Sequence, residues 1–260
     1  MIFFFSGCGN SRLIALALAK QLSEKLVFIP EAAAKGEYSV DLSEGESLGF
    51  VFPVYCWAPP TPVLDFVERL QVENRGRYTY VVTTYGDEAG QTEKLFRKAL
   101  EKYTGLHLDA AYGLVMPETY VNFRNMDVDS DDVARAKINS AISKIPSIAA
   151  RIKCHTTCSD IKVGKNAWLK SHLVRRYFYR HLVDDSKFHV TDDCTGCGLC
   201  SKVCPLGNIR MMSGTPCWMG NCVTCNACYH NCPVHAIRFG TVTDVKGQYK
   251  VLREYTDRPF

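Results

Sequence analysis

Long apolar runs are missing from this 260-residue sequence, and none reaches the roughly 18 residues that a membrane-spanning helix needs. A basic flank before the opening apolar stretch is missing too. Met1-Ile2-Phe3-Phe4-Phe5 runs straight into Ser6-Gly7 and reads as a buried strand, not a secretion leader. With no targeting segment, the expected compartment is the cytoplasm. An excess of one charge is also missing: the formal net charge of +4 is too small to make nucleic acid the main partner. The chain shows no Ser-His-Asp pattern, no His-Glu-x-x-His, no Walker loop and no visible pyridine-nucleotide domain, so hydrolysis has no support.

What the sequence does hold is cysteine. There are thirteen, and nine of them fall between Cys194 and Cys232. Two runs share one pattern 28 residues apart: Cys194-x2-Cys197-x2-Cys200-x3-Cys204-Pro205 and Cys222-x2-Cys225-x2-Cys228-x3-Cys232-Pro233. Soft thiolates suit iron in a cubane cluster and neutralise its cationic charge. Two-residue spacings let a tight loop place three thiolates at three corners of one cube, and the fourth must come from further away. Structural zinc would use two separated pairs, not a run of four. Disulfides would not need such regular spacing, and no export signal accompanies the chain.

Residues 188–240 resemble bacterial-type ferredoxins, and the Cys204-Pro205-Leu206-Gly207-Asn208-Ile209 and Cys232-Pro233-Val234-His235-Ala236-Ile237 endings carry the likeness. In two-cluster ferredoxins the remote ligand of each cube belongs to the other motif. The resemblance therefore implies one [4Fe–4S] cluster on Cys194, Cys197, Cys200 and Cys232, and a second on Cys222, Cys225, Cys228 and Cys204. Gly196, Gly198 and Ala227 keep bulk away from the cubes. Cys217 reads as a packed thiol. Cys154 and Cys158 flank His155 in a Cys-x3-Cys pair with no second pair nearby and read as plain residues.

The first 150 residues alternate short apolar runs with helical patterns. Strands are expected at Ile2–Phe5, Val27–Ile29, Leu48–Phe52, Thr79–Thr84 and Ala111–Met116. Amphipathic stretches lie near 11–24, 60–70, 89–103 and 131–150, and Gly105 is a natural stop for the third. Such alternation predicts an α/β fold with a doubly wound, five-stranded parallel sheet. Residues near 165–183 are basic and aromatic and predict a connecting helix.

Three loops fall at strand C-terminal ends, where open α/β sheets bind ligands. Ser6-Gly7-Cys8-Gly9-Asn10-Ser11 is small enough for its backbone N–H groups and the following helix N-terminus to hold a phosphate. Pro53-Val54-Tyr55-Cys56-Trp57 and Thr84-Tyr85-Gly86-Asp87 offer aromatic faces and turn backbone to a flat ring. The first loop resembles the FMN phosphate loop of flavodoxins, and the other two match the isoalloxazine loops in position. Cys8 stands where flavodoxins often carry threonine, and Ser11 also replaces a threonine.

The whole chain is similar to the flavodoxin–ferredoxin fusion family. That resemblance implies a flavodoxin-like domain at 1–160, a helical connector at 161–187, a small α+β ferredoxin domain at 188–240 and a tail at 241–260. It implies FMN and two [4Fe–4S] clusters as cofactors, with Tyr55, Trp57 and Tyr85 bordering the flavin. Clusters move one electron and flavin one or two. The leading expectation is an electron carrier between the clusters, FMN and a redox partner protein, with an acidic carrier docking on the basic helix Lys170–Arg180. One alternative is a flavin-dependent reductase of a small substrate that uses Asp87 or Tyr120 as acid. Another is a redox sensor with an empty flavodoxin domain.

Overall fold

The computed structural model describes residues 1–42, 46–73 and 78–256. The last four residues of the expected tail, 257–260, lie outside them. The described chain divides into two compact units. The first comprises residues 1–6, 10–116 and 137–177, and the second comprises 7–9, 117–136 and 178–260.

In chain order the first unit contains β1 (Ile2–Phe4), α1 (Asn10–Leu22), β2 (Leu26–Phe28), α2 (Ile29–Lys35), β3 (Ser39–Asp41), β4 (Leu48–Pro53), α3 (Thr61–Arg69) and β5 (Gln71–Glu73). Then come β6 (Thr79–Tyr85), α4 (Thr92–Thr104), β7 (Ala110–Val115), most of α5 (Asp131–Lys153), β8 (Cys158–Asp160) and α6 (Ala167–Leu169), which runs on through a π-helical turn at Lys170–Val174. The main sheet has the order β2-β1-β4-β6-β7-β8, and every pairing is parallel. Its first five strands are the five expected from the sequence, in the flavodoxin-like order. The three-residue β8 extends the edge to six. β3 and β5 form a separate parallel pair.

Strand burial explains the layering. All seven residues of β6 and five of the six in β4 are buried, as in strands covered on both faces. Phe3 packs on Phe66 of α3, and Phe50 and Phe52 pack on Phe96 of α4. Fully burying each such ring contributes about 1.5–3 kcal/mol. Two departures from the sequence pattern have local causes. Pro30 in its first turn starts α2 at Ile29, so β2 ends at Phe28, one residue before the expected Ile29. Gly113 lies so close under Tyr85 that a Cβ there would sit 2.3 Å from the phenol oxygen. Gly105 ends α4 in a left-handed conformation, donating its N–H to the Glu101 carbonyl.

The second unit is smaller. α7 (Arg175–His181) enters it, followed by β9 (Phe188–Val190), α8 (Leu199–Val203), the hairpin β10 (Ile209–Met212) and β11 (Thr215–Trp218), α9 (Ala227–Asn231) and β12 (Ile237–Phe239). β12 pairs antiparallel with β9. The core holds Val121, Phe188, Ile209, Tyr229, Ile237 and Phe239, together with the sulfurs of Cys200, Cys228 and Cys232. So small an apolar core needs additional staples. The segment after β12 closes it: the Gln248 amide donates to the carbonyls of Tyr229 (2.6 Å) and Cys232 (2.9 Å), and the Lys246 ammonium donates to those of Phe123 and Met126. Among the described residues no helix is long and apolar enough to cross a membrane.

Candidate cluster and cofactor sites

The two cysteine motifs fold as repeats of one another. Each gives a loop, a five-residue helix and a proline turn. Positive φ recurs at the same step: Gly196 (66°) with Thr224 (52°), Gly198 (70°) with Asn226 (61°), and Gly207 (59°) with His235 (53°). Each pair is 28 residues apart, which is the period of the sequence repeat. The hydrogen bonds repeat as well. The Asn208 N–H donates to Cys204 Sγ at 3.3 Å, and the Ala236 N–H donates to Cys232 Sγ at 3.2 Å. The Thr224 N–H donates to Cys222 Sγ at 3.2 Å. Such bonds orient a ligating sulfur and raise a cluster's potential.

All thirteen cysteines are free thiols. Cys194, Cys197, Cys200 and Cys232 together line one open hollow. The fourth of these comes from the other motif, as the ferredoxin resemblance implies. The second set is gathered more deeply. Burial pushes the Cys222 thiol up to about 12, and the nearby Cys204 adds to the effect. Burial also pushes Cys225 and Cys228 well above the ordinary thiol range, and Cys222 and Cys204 bear on Cys228. Cys204 therefore stands with Cys222 and Cys228. Thiolates so poorly hydrated need cationic partners, and iron supplies them. The donor set fits two cubane clusters.

The phosphate-loop residues divide between the units. Ser6, Asn10 and Ser11 belong to the first and Gly7, Cys8 and Gly9 to the second. α1 starts at Asn10 with no acid in its first turn, which suits an anion at its N-terminus. The Ser11 hydroxyl is engaged by that of Thr84 at 2.8 Å. Within the second unit, the Cys8 thiol donates to the Cys225 carbonyl at 2.8 Å. Burial pushes that thiol up to about 12, so it stays neutral.

At the end of β4, Pro53 and Val54 lead into a two-residue turn. The Tyr55 N–H donates to the Ala58 carbonyl (3.0 Å), and the Ala58 N–H donates back (3.2 Å). Between them Cys56 and Trp57 both hold positive φ, 49° and 56°. Glycine and asparagine normally fill this kind of turn, so the conformation costs of order 1–3 kcal/mol per residue and persists only where surroundings fix it. Those surroundings were not legible in the sequence. Trp57 Nε1–H donates to Glu88 at 3.0 Å, and the Lys170 ammonium pairs with the same carboxylate. The Ser171 hydroxyl donates to the Trp57 carbonyl (2.7 Å) and accepts the Gln91 N–H (2.8 Å). The π-helical turn thus clamps the Trp57 loop across more than a hundred residues of sequence.

For Tyr85, whose ring is expected to border a flavin, the structure gives a buried position. It is 7 % exposed, lies over Gly113, and its hydroxyl accepts the Lys162 N–H at 3.1 Å. The phenol is drawn into the sheet edge because Gly113 leaves room for it. Gly86 and Asp87 follow in the loop. Asp87 pairs with Lys162, whose hydrogen bond holds its carboxyl below the usual range. Tyr55 stays half-buried, edge-on to Phe5. Tyr55, Trp57 and the small backbone at the tip of β1 fit a flat ring and a phosphate.

Residues 193–237 match a 4Fe-4S dicluster domain. All eight cysteines of the two motifs lie in that span. A second model of the same description matches residues 149–208, which contain only six cysteines, so two clusters are counted on the first match. No curated protein matches the chain. Among solved structures, Trp repressor binding protein from Bacillus subtilis aligns at 11% identity over 56% of this chain and 96% of its own, with a TM-score of 0.35. Azoreductase from Bacillus anthracis str. Sterne aligns at 10% identity over 58% and 98%, with a TM-score of 0.33. An FMN-dependent NADH-azoreductase from Bacillus anthracis str. Ames Ancestor, solved with FMN, aligns at 9% over 58% and 98%, also at 0.33. Scores this low carry no argument here, and the fold assignment rests on the strand order itself.

Proposed function

We propose that this chain is an electron-transfer iron–sulfur flavoprotein, passing low-potential electrons between two [4Fe–4S] clusters and FMN and onward to a redox partner protein. The observation that supports this reading is that Cys232 lines one hollow with Cys194, Cys197 and Cys200, while Cys204 stands near Cys222 and Cys228. When bound, the clusters supply one-electron steps and the flavin one- or two-electron steps. The chain's own part is to hold and shield. Cys200, Cys228 and Cys232 are buried, which keeps water from the cubes, while Cys197 is exposed and leaves the first set accessible. The strained Cys56-Trp57 turn and the α1 N-terminus are the groups we assign to the ring and the phosphate.

Support for an acidic partner comes from residues 161–183, which contain no Asp or Glu. Within the first unit, Trp168, Leu173 and Tyr177 of this stretch are each more than half exposed, with Lys165 and Arg176 beside them in sequence. An apolar centre with a basic rim suits a transient, electrostatically steered interface. For the reductase alternative, Lys162 keeps Asp87 ionised, which leaves Tyr120 as the acid that reading would use.

Anaerobic purification with iron, sulfide and flavin analysis tests the reading. About eight irons are expected, at four per cluster, together with FMN. About four irons, or no flavin on a chain supplied with FMN, would overturn it.

A further inference from the structure

Trp218 and Val190 occupy matching places in the second unit. Each stands four residues before the first cysteine of a motif, Cys222 and Cys194. Each is also the cross-strand partner of an isoleucine that follows a motif. Trp218 pairs with Ile209 in the β10–β11 hairpin, and Val190 pairs with Ile237 between β12 and β9. The two isoleucines are 28 residues apart, the period of the cysteine repeat. Val190 lines the hollow of Cys194, Cys197, Cys200 and Cys232. By the same duplication Trp218 belongs beside the other set, and it packs on the core that holds Cys228.

The chemical difference between the two places is a donor. Valine has none, whereas an indole has one N–H and no acceptor. Trp218 Nε1 is buried and has no hydrogen-bond partner among the described residues. A buried donor left unpaired is destabilising, so such a group calls for an acceptor. The ring is held in place: it stacks on Phe188 with centroids 5.4 Å apart and planes 13° apart, which fixes the direction of the N–H. Burial pushes the Cys228 thiol up, and the Trp218 indole opposes this as a donor toward its sulfur. A thiol sulfur is a weak acceptor, and the charge on a metal-bound thiolate makes it a stronger one. The unpaired N–H is therefore matched to Cys228 as a cluster ligand.

We propose that the Trp218 indole N–H donates to the Cys228 sulfur of the second cluster and raises that cluster's reduction potential, a role that Val190 cannot play at the first. This rests on the assignment of Cys204, Cys222, Cys225 and Cys228 to one cluster. Reduction adds one electron, and so one negative charge, to a cluster and its thiolates. A donor at the sulfur stabilises the more negative state, keeps its own proton and breaks no bond. Trp218 acts through a ligand and is a tuning residue, not a ligand itself.

The test uses the full chain with its clusters, carrying tryptophan labelled with nitrogen-15 in the indole. Electron–nuclear double resonance of the reduced wild type should show a nitrogen-15 coupling at the cluster whose signal Cys204→Ser alters. Trp218→Phe keeps a stacked ring and loses the N–H. It should keep about eight irons and lose that coupling. A redox titration should show the second cluster's equilibrium shifted about tenfold toward the oxidised form, ~59 mV for one electron, with the first cluster unchanged. Phe188→Leu loosens the same stack, keeps the donor and should shift the potential much less. Absence of the coupling in the wild type, where no variant has to fold, overturns the bond. Unchanged potentials in iron-replete Trp218→Phe overturn the tuning role. An equal shift in Phe188→Leu assigns the effect to packing and also overturns it. A wild type with about four irons and one cluster signal overturns the cluster assignment itself, whereas two signals without the coupling sink the role of Trp218 alone.

Discussion

His230 of α9 is held neutral between two backbone groups. Its Nδ1 accepts the Tyr249 N–H at 3.1 Å, which fixes the tautomer and leaves the Nε2–H to donate to the Thr119 carbonyl at 2.8 Å. The imidazole joins three stretches of the second unit: the segment after β7, the helix behind the second cluster loop and the chain after β12. It is 2 % exposed, and burial pushes its pKa down to about 4 from an ordinary 6.5.

That depression sets the sign of an acid response. The unfolded chain takes up a proton at His230 near pH 6.5, and the fold resists it until about pH 4. Stability therefore falls as pH drops through that window, by up to roughly 3 kcal/mol by the usual conversion of pKa shift to free energy. Thermal melts of wild type and His230→Gln between pH 7.5 and about 4.5 check this. The variant starts less stable and should show a shallower acid dependence. Parallel curves would mean that His230 contributes nothing to it.

Cys204→Ser and Cys232→Ser should damage opposite clusters. Electron paramagnetic resonance of the reduced protein, combined with single-motif cysteine variants, distinguishes the two signals. Cys204→Ser is expected to alter the cluster on Cys222, Cys225 and Cys228. Cys232→Ser is expected to alter the one in the hollow lined by Cys194, Cys197 and Cys200. An effect confined to each residue's own motif would refute the crossing.

Glu88 holds the strained Trp57 turn through the indole N–H and pairs with Lys170. Glu88→Ala leaves Trp57 without its acceptor and the partly buried Lys170 without its anion. FMN affinity should fall about tenfold or more, corresponding to ~1.4 kcal/mol, with iron content unchanged. Glu88→Gln keeps an acceptor for the indole and should lose less. Flavin titration of the two variants decides whether the clamp matters.

Gly113→Ala would force a methyl group onto the Tyr85 phenol. Overpacking of this kind costs typically 1–3 kcal/mol. The melting temperature should drop by several degrees, and the double variant Gly113→Ala/Tyr85→Phe should recover part of the loss. A neutral Gly113→Ala would show that the sheet edge yields freely.

Leu173→Ser and the pair Lys165→Glu/Arg176→Glu should slow electron exchange with an acidic ferredoxin by about tenfold and flatten its salt dependence. Reduction by dithionite should stay at the wild-type rate. Stopped-flow measurement of both reductants checks it. Equal slowing with dithionite would place the fault in the cofactors and not in the docking face.

By itself the sequence determined the two cysteine repeats, their 28-residue period, and the order of strands and helices in the first unit. These are local properties: ligand spacing within a loop, apolar periodicity within an element, and Gly105 at a helix end. Tertiary structure alone decided that Tyr85 turns over Gly113, that the Lys170–Val174 turn clamps Trp57, that Thr224 and Asn226 bury unpaired oxygens, and that residues 117–136 and 246–252 pack with the cluster loops. Each joins residues far apart in the chain, so no local pattern encodes it. It follows from which surfaces pack together once the elements have formed, and from polar groups that must find partners when that packing removes water.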